Sequence, residues 1–201
     1  MFIKFLREGA LATQTAFDYA PYLPKGNKPG KWLPKVDELS RCKSGYHFTE
    51  LSAKTLDFLD TEAYEIEYRG NHIVIDGEHI AQQIRIVRRI VEWDDRTARL
   101  FAADCAARVL HLYTGISDAP RKAIEVARLF ANGKATQDEL AAAGDAAWDA
   151  ARAAAGDAAR DAARAAAWAA EQKWQLARLT KYLSGVRVRP VPLPNPEGGA
   201  K

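Results

Sequence analysis

Apolar and polar positions alternate with period two in the first half of the chain and with a helical period in the second. Phe2-Ile3-Lys4-Phe5-Leu6 reads as a strand, and residues 8–40 read as a long irregular connection punctuated by Pro21, Pro24, Pro29, Gly30 and Pro34. Trp32 and Leu33 are its expected buried anchors. Cys42 to Phe48 gives a turn and a short strand, and Thr49 opens a brief helix through about Leu59. Between Ala63 and Tyr68, Tyr64, Ile66 and Tyr68 face one way and Glu65 and Glu67 the other. Arg69-Gly70-Asn71 predicts a turn before a strand at His72–Ile75. Asp76-Gly77 is a hairpin signal, followed by a strand over Ile80–Ile90 with Ile84 and Ile86 inward and Arg85 outward.

The period changes at Trp93-Asp94-Asp95. Asp94 is the expected N-cap of a helix to about Tyr113, with Leu100, Phe101, Cys105, Val109 and Leu112 on its buried face. Pro120 suits the first turn of a helix over 121–131, which Asn132-Gly133 ends. Thr136 and Glu139 have capping-box spacing and start a segment that runs to Leu183. Alanine fills 19 of the 30 positions from Ala141 to Ala170, and alanine has the highest helix propensity of any residue. A break at Gly156-Asp157, giving an antiparallel helix pair, is favoured over one rod; Gly144-Asp145 carries the same signal. The fold class is therefore α+β: a small, mostly antiparallel β domain over 1–92, an all-α, alanine-rich domain over 93–185, and a proline-rich mobile tail over 186–201.

The formal net charge of +3 falls entirely in the second half, since residues 1–93 carry 13 basic and 13 acidic side chains. That excess is too small for an extended nucleic-acid footprint. No apolar run is long enough to cross a bilayer, and the N-terminus is too short for a signal peptide. Cys42 and Cys105, 63 positions apart, are expected as reduced thiols of a cytoplasmic protein.

Candidate chemistry is sparse. His72, Asp76, Glu78 and His79 lie across a hairpin, but strand alternation sends neighbours to opposite faces, so no metal site is expected. Cys105 and His111 point about a third of a turn apart on one helix and form no nucleophilic pair. No phosphate loop is present, and neither catalysis nor a cofactor is expected. Tyr46 and His47 could line a pocket, although a structural histidine is the default. Thr97, Asp104, Arg108 and His111 share one helix face, and Arg121, Lys122, Glu125 and Arg128 follow on the next helix. Those residues suit an anion site. The plainer reading, an ion-pair network of Asp104–Arg108 and Arg121–Glu125, is favoured over it. Arg85, Arg88 and Arg89 form a second basic cluster. Trp148, Arg152, Arg160, Arg164 and Trp168, which with Gly156 fall at every fourth position of the alanine-rich segment, are candidate interface residues, with core packing the commoner role for the tryptophans.

Two resemblances cover nearly the whole chain except the tail. With Trp32, the Cys42-x-x-Gly45-Tyr46-His47 turn, the acidic strand ending at Gly70 and Arg85-Ile-Val-Arg88-Arg89, the N-terminal half resembles a small domain of unknown function found in phages and bacteria. With Ala98–Leu110, Pro120–Glu125 and the Ala-Ala-Trp repeats, the second half is similar to an all-helical immunity-protein family of bacterial toxin–immunity systems. The resemblances imply a non-enzymatic binding protein of the immunity or anti-defence type, encoded by a phage or prophage. It would neutralise a toxin or effector protein, or sequester a small anionic signalling nucleotide. A helical module that joins copies of the chain, with no ligand, is the alternative.

Overall fold

The computed structural model describes residues 1–15, 17–113, 115–154 and 161–194; of 148, 150–154 and 161–168 only the helical backbone is described. The chain forms two compact units, Met1–Asp95 and Arg96–Lys201. A four-stranded antiparallel sheet followed by helices makes the class α+β, as the change of period predicts.

In the first unit β1 (Phe2–Leu6), β2 (Tyr46–Glu50), β3 (Glu62–Ile75) and β4 (Glu78–Arg89) close into a barrel in the order β1-β2-β4-β3. Tyr64, Ile66, Ile84 and Ile86 are buried in its core, on the face that alternation assigns them. Asp76 and Gly77 both take positive φ, 51° and 77°, and turn β3 into β4.

Three expectations are corrected here. Arg69-Gly70-Asn71 does not end a strand: β3 runs through it, with a register shift between Arg69 and His72. Gly70, at φ 83°, absorbs that bulge while Gln82 Oε1 accepts from the Asn71 amide. The helix expected from Thr49 is a single 3-10 segment, Ala53–Phe58. The β2 ladder holds Thr49 and Glu50 extended, and Ser52 and Thr55 then cap each other's backbone amides. The connection is only partly irregular: Gly30, Leu33 and Val36 donate their amides to Ile86, Ile84 and Gln82 carbonyls, covering the part of β4 that β2 leaves unpaired. Leu33 is fully buried, as expected, whereas Trp32 is half-buried beneath the guanidinium groups of Arg69 and Arg85, 4.3 and 4.8 Å from its ring centre.

The second unit contains α1 (Asp95–Val109), α2 (Ala119–Ala131), α3 (Gln137–Ala154) and α4 (Asp161–Leu183). Pro120 sits in the first turn of α2, and Gly133, at φ 68°, ends it with its amide on the Phe130 carbonyl. The Thr136/Glu139 box forms as read, with the Thr136 amide 2.7 Å from Glu139 Oε2 and the Glu139 amide 3.2 Å from Thr136 Oγ1. On α1 the buried face is rotated from the expected one, to Phe101, Ala103, Asp104 and Ala107. Leu112 is 62% exposed because the chain leaves the α-helix for a 3-10 turn at Leu110–Leu112. The break expected at Gly156 lies outside the described residues.

The tail expectation changes most. Residues 186–194 do not run free: Val191 and Leu193 pack against Ala103, Ala107 and Ile124. The rest of the tail lies outside the described residues.

Candidate functional site

In the barrel, the β1–β2 ladder consists of Phe2↔Glu50 and Ile3↔Thr49 only. Beyond it, between Lys4-Phe5 and Gly45–Phe48, lies a cavity of about 260 Å³, which residues of 12–19 and Asp57–Leu59 help to line. Tyr46 and His47 both line it, the placement that made them candidates. Tyr46 donates its hydroxyl to the Pro34 carbonyl at 2.9 Å, and burial pushes its pKa up. His47 Nδ1 pairs with Glu78 Oε1 at 2.8 Å, and Arg41 holds Glu78 Oε2 at 3.2 Å.

Lys4 went unnoticed as a site residue. Its Nζ donates to the His47 carbonyl at 2.7 Å and lies over the Tyr19 ring, 5.1 Å from its centre. Burial lowers its pKa to about 8, with the Glu78 charge opposing that shift. The signal was present, since alternation puts Lys4 on the same face as Phe2 and Leu6.

At another place in the barrel, His72 and His79 meet, Nε2 to Nδ1 at 2.9 Å, among Phe2, Phe48 and Tyr68. The expectation that alternation parts them is corrected: the register sets Val74 opposite His79, and His72, two positions from Val74, shares the face. Among the described residues no group of three His, Cys, Asp or Glu side chains is placed to hold a metal ion.

The basic cluster of Arg85, Arg88 and Arg89 is spent on cross-strand pairs. Arg85 donates to Glu67 at 2.7 Å, Arg88 to Glu65 at 2.6 Å, and Arg89 lies 3.2 Å from Glu62. These follow from a register that sets Glu67 opposite Arg85 and Glu65 opposite Arg88.

In the helical unit, Asp104 is 1% exposed and is the centre of a polar cluster. Its Oδ1 accepts from Arg128 Nη2 at 3.1 Å and the Val191 amide at 3.0 Å. Its Oδ2 accepts from Arg178 Nε at 3.1 Å and the Tyr182 hydroxyl at 2.8 Å. Burial and the Asp104 hydrogen bond push the Tyr182 pKa far above the ordinary tyrosine range. The expected Asp104–Arg108 pair is thus corrected. Arg108 Nε instead bonds Glu171 Oε2 at 3.1 Å and stacks over Trp174 at 4.8 Å. Arg121 pairs with Asp118 at 3.3 Å, not with Glu125, and also donates to the Pro194 carbonyl. Lys122 and Glu125 are exposed, and His111 Nδ1 lies 3.0 Å from the Arg108 carbonyl. Arg178 and Tyr182 were missed because nothing local in the sequence ties them to a residue more than 70 positions away. The side chains of Trp148, Arg152, Arg164 and Trp168, and Arg160 entirely, lie outside the described residues.

Cys42 and Cys105 are free thiols. Burial, with Glu171 and Asp104 nearby, pushes the Cys105 thiol up to about 12, so it is no nucleophile at neutral pH. Among the described residues no helix is long and apolar enough to cross a membrane.

The arrangement offers a cavity in one unit and helices tied together at Asp104 in the other. Residues 88–177, from the end of β4 through most of α4, match the model of a family described as Imm-5 like putative immunity protein. The match suggests an immunity-type role for this stretch. No curated protein and no solved structure matches the chain.

Proposed function

We propose that the chain is a non-enzymatic binding protein of the immunity type, of phage or prophage origin, whose helical unit neutralises a toxin or effector protein by occupying it. The family match over 88–177 carries this reading, because it falls on the helices. Sequestration of an anionic nucleotide is the weaker version. Arg85, Arg88, Arg89, Arg108 and Arg121 each already have a carboxylate partner, and an incoming phosphate would have to displace it.

Co-expression with toxins from the same genomic neighbourhood tests the proposal. One of them is expected to lose its growth arrest and to co-elute with the chain in fixed ratio. Small molecules released by denaturing the purified chain are expected to include no nucleotide in the mass spectrum. Stoichiometric nucleotide, or no protection against any of those toxins, would overturn the proposal.

A further inference from the structure

The barrel cavity is built beside the Lys4 ammonium, whose nearest charge is a Glu78 carboxylate held by other partners. Phe2, Lys4 and Leu6 share one face of β1; Leu6 belongs to the apolar core and Phe2 packs against it, so the part-buried Lys4 carries its ammonium among apolar side chains. Its two partners, the His47 carbonyl and the Tyr19 ring, bear no formal charge. Among the described residues no carboxylate lies within ion-pair distance of Lys4. The acids that line the cavity are engaged elsewhere: Glu78 by Arg41 and His47, Asp57 by Lys54 at 2.9 Å. An ammonium has three donors, and the His47 carbonyl takes one. Burial lowers the Lys4 pKa by more than the Glu78 charge raises it, so the ammonium is only partly compensated. Around it the wall is mostly apolar, with Phe17, Phe48, Phe58 and Leu59.

We propose that this cavity is a binding site for a small monocarboxylate with a short apolar tail. Its carboxylate accepts the remaining Lys4 donors, and its tail lies against Phe17, Phe48, Phe58 and Leu59. The ligand is of metabolite size, because about 260 Å³ is below the range of drug-sized pockets. A dianion such as phosphate fits worse, since Glu78 lines the same cavity and repels a second negative charge. The site belongs to the barrel and does not depend on what the helical unit binds.

Calorimetric titration of the intact chain at neutral pH with hexanoate, phenylacetate and inorganic phosphate is the test. Saturable one-to-one binding of at least one carboxylate is expected, with none of phosphate. Lys4→Met, which keeps the chain length and removes the charge, is expected to weaken binding by roughly tenfold or more, and Lys4→Arg by less. Lys4 is part of the barrel, so a second measurement uses the unaltered chain labelled with ¹⁵N-lysine. There the Lys4 side-chain pKa is expected to rise on saturation with the carboxylate, as an opposite charge requires. No saturation by either acid up to about 10 mM, equal affinity in Lys4→Met, or an unmoved Lys4 pKa would each overturn the proposal.

Discussion

At the scale of single residues, the informative ones are polar groups placed where the apolar pattern predicts none. His79 is such a group. Burial lowers its pKa, and the neighbouring His72 lowers it further. Its folded value therefore lies below the unfolded one of about 6.5. Between those two values the unfolded chain binds more protons, so stability rises with pH. The contribution is complete above the unfolded value and is lost as pH falls through the folded one. The urea midpoint of the chain is accordingly expected to drop from pH 7 to pH 5, and His79→Gln to flatten that drop. An equally steep drop in His79→Gln would assign it to other groups. Lys4 and the His72–His79 pair were legible only in part. Alternation puts Lys4 on the face of Phe2 and Leu6, but the meeting of the two histidines needs the register, which a bulge at Gly70 helps to set.

At the scale of elements, one carboxylate joins four segments: α1 through Asp104, α2 through Arg128, α4 through Arg178 and Tyr182, and the tail through Val191. Removing a buried partner strands the remaining charges, whereas an exposed pair contributes little. Asp104→Ala should therefore lower the unfolding free energy by about 3–5 kcal/mol. Arg108→Ala, which loses a pair on a side chain 44% exposed, should cost at most about 1 kcal/mol. Urea titration followed by circular dichroism compares them, and similar losses would refute the ranking. Local signals read well at this scale: the Asp76-Gly77 hairpin, the Thr136/Glu139 box and the Gly133 stop each act within a few residues. The rotation of the α1 face did not read, because an aspartate counts as polar until its distant arginines are known. Nor did the docked tail, since prolines announce an extended chain but not the groove that receives it.

For the whole molecule, the two units differ in what they offer. The barrel holds a cavity, while residues 88–177, mostly helical, match the model of an Imm-5 like putative immunity protein family. The formal charge is only +3, and Arg85, Arg88, Arg89, Arg108 and Arg121 each pair with a carboxylate. The chain is expected to cause no retardation of duplex DNA at about 150 mM salt, where screening reaches within about 8 Å. Retardation that persists at that salt would refute this and point to a phosphate-binding face. The α+β division was legible because hydrophobic period is a property of neighbours. Neither the cavity nor the hub was, since both are made by groups brought together from 24 to 87 positions apart.

That separation has a bearing on synthesis. The amide that completes the shell of Asp104 lies 87 positions downstream of it. At roughly 5–20 residues per second, a ribosome needs about 4–17 s to travel from one to the other. Throughout that interval the carboxylate is without its last donor, and Arg178 and Tyr182 also arrive late. The nascent helices thus have reason to stay loosely associated, and to lock only once Val191 has cleared the exit tunnel.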